Sequence, residues 1–306
     1  MAVKSRELLK RMWANRIFYL MLLPGLVFLV IFHYMPIGGL LLAFKDFSFV
    51  GGPLNGPFVG LKYFSMAFGD KYFINALKNT VIISVARIVI GFPLPIIFAI
   101  LLYEIPFVRY KKFAQGISFL PYFVSWVVLA SIFTALFSVD GPVNYITGLF
   151  GAKPVIFLGE SSDIVQIVVA TAIWQTLGWD SVIYTAALAG VNPELYEAAV
   201  IDGAGKMKQI FNITLPCIVN VIVILFVLSL GGILNAGFDQ IFNIIKPTTT
   251  GKLEILDTYV YKKGLEQMNY SYATAVGLFK SAVGLLFVLG ANFLAGKVGG
   301  EESKVF

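Results

Sequence analysis

The chain has 306 residues, of which 58% are hydrophobic and only 13% are charged, whereas soluble domains carry about 25% charged residues. This composition excludes a soluble domain, a disordered chain and a small disulfide scaffold, since aromatic residues make up 15% and Cys217 is the only cysteine. The net charge of +6 does not indicate nucleic-acid binding, because the basic residues lie between hydrophobic runs rather than on one polar face. We therefore expect an all-α polytopic membrane protein.

Six apolar stretches are long enough to cross a bilayer, which requires about 20 mostly apolar residues. They are residues 17–44, 74–102, 113–137, 164–188, 216–236 and 275–296. The chain then divides into an N-terminal segment over 1–16, a transmembrane domain over 17–296 and a tail over 297–306. The first stretch follows five basic residues and lacks an Ala-x-Ala site, so we interpret it as a retained anchor. Pro93 and Pro95 are expected to kink the second.

The distribution of Lys and Arg predicts the orientation. With the N-terminus inside, the inner connections and termini carry twelve of these residues, and the longer outer connections over 45–73, 138–163 and 237–274 carry eight. Basic residues concentrate on the cytoplasmic side of membrane proteins. We therefore expect both termini to be cytoplasmic, and we expect no outer connection to form a separate domain.

The connection over 192–216 combines helix signals with small residues. Asn192 is suited to cap a helix whose first residue is Pro193, and Gly203 and Gly205 are expected to end it. A second short helix then starts at Lys206 and leads to the fifth span. The physical pattern alone leaves two interpretations open, a docking surface for another protein or an ordinary amphipathic loop.

The same connection resembles the EAA loop of permease subunits of binding-protein-dependent ABC importers. The matching residues are Glu197-Ala198-Ala199, Asp202-Gly203-Ala204, Phe211, Ile213 and Leu215-Pro216. The resemblance implies a type I ABC importer permease with six transmembrane helices and a cytoplasmic coupling helix. In that family the helix sits in a cleft of the ATPase subunit.

A second resemblance narrows the family to the LplB-type permeases of the carbohydrate-uptake group. It is carried by Leu23-Pro24-Gly25, Ala43-Phe44-Lys45-Asp46-Phe47 and Phe58-Val59-Gly60-Leu61-Lys62-Tyr63-Phe64. The resemblance extends over essentially the whole chain. It implies import of oligosaccharides or polysaccharide fragments, alginate and pectic fragments among them, across the bacterial cytoplasmic membrane.

The resemblance also implies the partners and the coupling residues. The partners are a second homologous permease subunit, two ATPase subunits and an extracytoplasmic solute-binding protein. By position, Glu197 would orient the loop, Ala198 and Ala199 would pack in the ATPase cleft, Asp202 would satisfy backbone or basic groups, and Gly203 would make the bend. No Gly-x-x-x-x-Gly-Lys-Ser/Thr sequence occurs, so ATP and Mg are expected on the ATPase subunits and no cofactor on this chain.

Polar and aromatic residues inside three spans indicate a path for a sugar, which has polar edges and apolar ring faces. The expected substrate-path residues are Tyr122, Ser125, Gln175, Thr176, Trp179, Gly232 and Asn235. Ser229, Gly232 and Asn235 are expected to recur at helical spacing. The alternative is that the aromatic residues form interfacial belts and that the small ones pack helices closely.

Arg87 is the cation placed deepest within a predicted span, about 13 Å beyond Lys78 on the same helix at 1.5 Å per residue. A charge at that depth has to face protein or water. We expect Arg87 to contact an acidic substrate or a nearby acid such as Asp180.

Two other classes of function remain as alternatives. A secondary, ion-coupled carrier requires an ionisable relay across several spans, and an intramembrane enzyme requires a catalytic cluster. The single histidine, His33, and the single cysteine, Cys217, leave little for such a cluster or for a metal site. We therefore predict a non-catalytic permease subunit, with no catalytic or metal-binding residues, whose energy source lies on other chains.

Overall fold

The computed structural model describes residues 13–50, 52, 55–159 and 163–299. Most of the predicted N-terminal segment 1–16 and the tail from residue 300 lie outside these residues. The α-helices are α1 Arg16–Leu29, α2 Lys62–Gly69, α3 Lys71–Gly91, α4 Pro93–Glu104, α5 Val108–Phe119, α6 Trp126–Leu136, α7 Pro142–Leu149, α8 Ile164–Ala189, α9 Pro193–Ile201, α10 Lys206–Gln209, α11 Leu215–Gly231, α12 Phe238–Ile244, α13 Thr250–Leu253, α14 Leu256–Tyr261 and α15 Tyr270–Gly299. Short 3-10 or π segments are Val30–Tyr34, Met35–Phe44, Leu120–Phe123, Ile210–Thr214, Pro247–Thr249 and Lys262–Glu266.

Within the described ranges, four helical segments are long and apolar enough to cross a bilayer, and a bent pair makes a fifth. The four are Arg16–Phe44, Lys71–Glu104, Lys206–Gly231 and Tyr270–Phe293. Helix α8 matches the predicted span 164–188 and has 26 residues, but it is more polar than these four. Ten of its residues are buried, and a span surrounded by protein can carry polar side chains. The all-α polytopic prediction is confirmed, and the count of six spans is approximate.

The third predicted span, 113–137, is not one straight helix. Helix α5 with its 3-10 extension meets α6 at 100°. Pro121 lies just before the bend, and Val124 and Ser125 are extended, with ψ angles of 130° and 149°. The freed carbonyl of Val124 accepts a hydrogen bond of 3.3 Å from Gln175 Nε2. Irregular backbone within a membrane needs such a partner.

One compact unit contains the described residues of 13–66 together with 263–278. None of the residues of α1 is buried. After the first span, the Asp46 carboxylate accepts hydrogen bonds from Tyr63 Oη at 2.6 Å and from Lys62 Nζ at 3.0 Å. The Tyr63 hydrogen bond, aided by Lys62, lowers the pKa of Asp46. These contacts attach the segment after the first span to the start of α2.

The second compact unit contains the described residues of 67–262 and 279–299 and includes the two apolar cores given below. The first core includes Ile83, Ile164, Val168, Val169, Ile241, Leu253 and Ile255. The second includes Ile96, Ala99, Ile100, Tyr184, Leu188 and Ile218. Helix α8 contributes to both cores, with its first turns in one and its last turns in the other. The middle of α8 is left to line a cavity.

The predicted outer connection 237–274 is more ordered than a loop. Its first part, up to Lys262, forms α12, α13 and α14 within the second unit, and Ile241, Leu253 and Ile255 in it are fully buried. Thr80 Oγ1 on α3 accepts a hydrogen bond of 2.8 Å from the Leu256 N–H. This first part of the connection therefore contributes to the apolar core of the second unit. The Pro and Gly residues of the segment had indicated only a loop.

Candidate functional site

A cavity of about 500 Å³ lies among α3, α4, α8 and α11. Its volume falls within the range of about 300–1,000 Å³ that is typical of small-molecule sites. Its wall is mostly apolar, and it includes the aromatic residues Phe92, Trp179 and Tyr184. The remaining polar side chains on the wall are Ser84, Arg87, Thr176, Asp180, Ser229 and Asn235. An apolar wall with a few polar groups can hold a ligand and fix its orientation.

Four of the expected substrate-path residues, Thr176, Trp179, Gly232 and Asn235, line this cavity. The Trp179 ring stacks on the ring of Tyr122, with centroids 4.5 Å apart and planes at 3°. Thr176 lies one turn before Asp180 on α8 and lines the same cavity. The cavity therefore offers a flat aromatic face and a carboxylate acceptor close together.

Of the three other expected residues, Tyr122 stacks on Trp179, Gln175 on α8 contacts the bend between α5 and α6, and Ser125 is part of that bend. Gln175 is buried and donates its amide N–H to the Val124 carbonyl. Ser125 occupies the position before the first residue of α6. Neither residue is part of the cavity wall. Both lie beside the wall, at the break that redirects the chain.

The expected helical spacing of Ser229, Gly232 and Asn235 is wrong. Helix α11 ends at Gly231, and the Asn235 N–H donates to the Gly232 carbonyl at 2.7 Å in a turn. The apolar run continues to residue 236, so hydropathy did not show where the helix stops. The turn nevertheless leaves all three residues on the cavity wall.

The Arg87 side chain is held by a glutamine, and the expected contact with Asp180 is wrong. Arg87 Nη2 donates to Gln240 Oε1 on α12. Gln240 Nε2 in turn donates to the Val168 carbonyl at 2.9 Å and to Thr171 Oγ1 at 2.8 Å. In the part of the chain that the structure describes, no ion pair joins Arg87 to Asp180. The guanidinium is drawn towards α12 because Gln240 supplies a fixed acceptor there.

Three residues of this site were not predicted from the sequence. Ser84 lies one turn before Arg87, and this spacing alone could have indicated that the two residues share a helix face. Gly237 has a φ of +88°, and a Cβ there would lie 2.3 Å from Arg87 Nη1. Gln240 is 153 residues from Arg87, and nothing in its local sequence indicates the contact.

The 192–216 loop has the predicted helix–glycine–helix form. The Asn192 side chain accepts a hydrogen bond of 3.1 Å from the Glu194 N–H and so caps α9, which begins at Pro193. Gly203 follows α9 with a φ of +75°, a conformation that L side chains rarely adopt. Of the expected coupling residues, Ala199 is half-buried, and the exposed ones are Glu197, Ala198, Asp202 and Gly203.

The outward face of this loop is apolar. Val200, Ile201 and Met207 are exposed, and 86% of the Ile201 surface is accessible. Large apolar side chains exposed together mark an interaction surface. Within the chain, Lys206 Nζ forms an ion pair of 2.7 Å with Glu104 Oε2 at the end of α4.

The inward face of the loop is fixed by Tyr196. Its hydroxyl and Thr214 Oγ1 lie 3.0 Å apart in a hydrogen bond. Burial raises the pKa of Tyr196, against a smaller effect of the Thr214 hydrogen bond. The Tyr196 ring also packs near the ring of Tyr103 on α4, with centroids 6.2 Å apart. The loop is thus attached to both α4 and the start of the fifth span.

Residues 91–298 match the family model described as "Binding-protein-dependent transport system inner membrane component". Two relatives come from Bacillus subtilis strain 168. The polygalacturonan/rhamnogalacturonan transport system permease protein YteP is 41% identical over 97% of this chain and 93% of its own length. Protein LplB is 40% identical over 91% of this chain and 88% of its own length.

Two solved structures share the fold. A bacterial ABC transporter involved in the import of the acidic polysaccharide alginate matches with a TM-score of 0.88 and 37% identity, over 95% of this chain and 99% of the other. The bacterial alginate ABC transporter in complex with an alginate pentasaccharide-bound periplasmic protein matches with a TM-score of 0.87 and 36% identity, over 95% and 98%.

Proposed function

We propose a function for the chain from one premise: it belongs to the family of binding-protein-dependent transport system inner membrane components. It is a multi-pass permease of an ABC importer, as its LplB-type features predicted. This membership favours the ATP-driven importer over the ion-coupled carrier and the intramembrane enzyme. We propose further that the chain takes oligosaccharides or polysaccharide fragments from a solute-binding protein and passes them inward by alternating access.

The observation that carries the proposal is the exposed apolar face of the 192–216 loop. Ile201 and Met207 are largely accessible although they are apolar, while Tyr196 and Lys206 hold the loop to the span ends. A rigidly attached apolar surface outside the spans is suited to transmit the movement of a bound protein. We assign that role to an ATPase subunit.

Each expected coupling residue has a role consistent with its place on this surface. The small side chains of Ala198 and Ala199 let a partner backbone approach closely. Glu197 and Asp202 are exposed acids that can accept hydrogen bonds from basic or backbone groups. Gly203 turns the chain between α9 and α10. We propose that these five residues couple ATP hydrolysis to movement of the spans.

The remaining partners follow from what the chain itself does not provide. Its sequence contains no phosphate-binding loop, so we propose that two ATPase subunits bind ATP and Mg and carry out the hydrolysis. None of the residues of α1 is buried, which leaves a full apolar helix surface for lipid and for a second permease subunit. We propose a heterodimer with that subunit, with both termini in the cytoplasm.

The substrate class follows from the cavity and from the relatives. The relative YteP is named for polygalacturonan and rhamnogalacturonan, and the two solved structures are named for alginate. The cavity places the flat ring of Trp179 beside the hydrogen-bonding groups Thr176 and Asp180. That combination suits a sugar ring, and we propose fragments of an acidic polysaccharide as the substrate.

Co-purification and uptake test the proposal together. We expect the tagged chain to isolate with ATPase subunits and a second permease. We also expect the complex in proteoliposomes, supplied with its binding protein, to take up trigalacturonate only with ATP and to stop with vanadate. Uptake driven by an ion gradient without ATP would contradict the proposal, as would isolation of the chain without an ATPase.

A further inference from the structure

We propose that Arg87 determines substrate specificity by binding the carboxylate of an acidic sugar unit in the cavity. This inference depends on the proposed function, because it takes the cavity to be part of the substrate path. It goes further by assigning one side chain to one chemical group of the substrate. Four observations carry it: a fixed guanidinium, a close glycine, two unpartnered polar atoms and an unpaired charge.

The Arg87 guanidinium is fixed by the side-chain oxygen of Gln240, whose amide group is itself held in one orientation. Gln240 is fully buried, and its amide nitrogen donates to both the Val168 carbonyl and Thr171 Oγ1. These two bonds use the donors of the amide, so its oxygen has to point the other way, at Arg87. The guanidinium is therefore held in place before any ligand arrives, which lowers the entropy lost on binding.

Gly237 brings the backbone against the other side of the guanidinium. Its φ of +88° suits glycine, and a Cβ at this position would lie 2.3 Å from Nη1 and 2.8 Å from Nη2 of Arg87. Any larger residue would displace the guanidinium. The Arg87 head is thus confined between Gln240 and Gly237.

Two buried polar atoms on the cavity wall have no hydrogen-bond partner within the described residues, Arg87 Nε and Ser84 Oγ. Ser84 is only 2% exposed and lies one turn from Arg87. A buried polar atom without a hydrogen-bond partner is destabilising, and two such atoms one turn apart indicate a site that a ligand completes. A ligand carboxylate can accept from the Nε–H and from a terminal N–H of the guanidinium, and from the serine hydroxyl.

The charge of Arg87 is also unpaired. Lys280, the cation in the last predicted span, pairs with Asp257. In the ranges the structure describes, no carboxylate lies within 4 Å of the Arg87 nitrogens. Guanidinium groups stay protonated in proteins, and a partly buried charge without a counter-charge is destabilising. A substrate carboxylate would supply the counter-charge.

The rest of the wall fits the same kind of ligand. Asp180 is the only other charged residue on the cavity wall, and its carboxylate, next to Thr176, can accept hydrogen bonds from sugar hydroxyls. Trp179 is 44% accessible, and Tyr122 stacks against one face of its ring. A uronic acid unit presents one carboxylate, several hydroxyls and an apolar ring face. Each has a counterpart on this wall.

The test compares an acid with its neutral ester. The complex in nanodiscs, without the binding protein, is titrated with trigalacturonate and with its fully methyl-esterified form, and binding is measured by equilibrium dialysis. Omitting the binding protein removes its own preference from the comparison. The variants are Arg87→Gln and Arg87→Lys, with Lys78→Gln as the control that removes an exposed cation from the same helix.

We expect the wild-type complex and Lys78→Gln to bind the acid at least tenfold more tightly than the ester. Arg87→Gln should abolish that preference by weakening the binding of the acid and leaving the binding of the ester unchanged. Arg87→Lys should keep part of the preference. Equal affinities of the wild type for acid and ester, binding of neither, or a preference that survives Arg87→Gln would overturn the inference. If Arg87→Gln does not assemble, an acid preference unchanged in Arg87→Lys would overturn it and a reduced one would support it.

The proposed function can fail separately from this inference. ATP-dependent uptake of trigalacturonate by the wild-type complex with its binding protein tests the function. If that uptake occurs and Arg87→Gln still prefers the acid, the inference alone is wrong. If the uptake does not occur, the proposed substrate class is wrong whatever the binding shows.

Discussion

The 192–216 loop and the Arg87 cavity depart from ordinary packing in opposite ways. The loop exposes apolar side chains, foremost Ile201, whereas the cavity buries the polar atoms Ser84 Oγ and Arg87 Nε without partners. Folded proteins ordinarily bury large apolar side chains and give buried polar atoms a hydrogen-bond partner. We interpret both departures as surfaces that another molecule completes, a protein at the loop and an acidic sugar in the cavity.

Placing a charge at the centre of the loop surface should have the largest effect. We expect Ile201→Asp to lower ATP-dependent uptake about a hundredfold or more and to release the ATPase subunits on purification. The physical reason is that burying an unpaired carboxylate in an apolar interface costs several kcal/mol. Uptake assays and the subunit ratio of the purified complex measure it.

The matched control is Phe150→Asp, at an equally exposed apolar position, since Phe150 is 87% accessible and Ile201 is 86%. This variant should retain its ATPase subunits. Full uptake by Ile201→Asp, or loss of the ATPase in both variants, would show that the exposed loop surface is not a specific docking site.

The contact between α8, which lines the cavity, and α5 should be sensitive to overpacking in a way that the exposed loop is not. At Gly178, a Cβ would lie 2.2 Å from the Ser118 carbonyl oxygen, so α8 and α5 touch there through backbone. We expect Gly178→Ala to lower the free energy of unfolding by about 1–3 kcal/mol. Denaturant unfolding of the purified chain measures this change.

Gly277→Ala serves as the control, because no atom lies within 4 Å of the added Cβ. It should be neutral or slightly stabilising, since alanine favours helices over glycine. A wild-type-like stability of Gly178→Ala would mean that α8 and α5 can separate without cost, and would contradict a rigid contact between them.

Displacing the Arg87 guanidinium without removing its charge should have an intermediate effect on substrate binding. Gly237→Ala introduces an unfavourable backbone conformation and a Cβ within 3 Å of the guanidinium. We expect about a three- to tenfold weaker binding of trigalacturonate, with little change for the methyl ester. Equilibrium dialysis measures both. Gly251→Ala, with open space around its Cβ, should match the wild type, and an unaltered affinity in Gly237→Ala would argue against a preorganised guanidinium.

The ion pair between Lys206 of the loop and Glu104 of α4 should contribute the smallest free energy among these features. Lys206 is mostly exposed, and the ion pair with Glu104 is therefore expected to contribute about 0.2–1 kcal/mol. A double-mutant cycle with Glu104→Gln and Lys206→Met, read out as free energy of unfolding, measures the coupling. A value above about 2 kcal/mol would show that this ion pair, rather than the Tyr196 contacts, holds the loop.

Features set by adjacent residues were predictable from the sequence, whereas features set by distant ones were not. Asn192 and Pro193 located the start of α9, and Gly203 located the bend, because capping and positive φ are local properties. Thr176 and Trp179, which the sequence indicated as substrate-path residues, lie three residues apart on α8, and the cavity wall includes both.

The bend at 113–137, the end of α11 at Gly231 and the partner of Arg87 could not be predicted from local sequence. Hydropathy is nearly uniform along both apolar stretches, so it does not mark where the backbone breaks. The carbonyl that the break at Val124 leaves free is bound by the Gln175 side chain, 51 residues away. Arg87 contacts Gln240, 153 residues away, in a connection whose composition indicated only a loop.

Site-specific cross-linking tests most directly whether the exposed loop surface is completed by an ATPase subunit. In a Cys217→Ser background, Ile201→Cys and Phe150→Cys are each labelled with a benzophenone maleimide and irradiated in the assembled complex. Our account predicts a cross-link to an ATPase subunit from position 201 and none from position 150. The absence of a cross-link from position 201, or an ATPase cross-link from position 150, would contradict it.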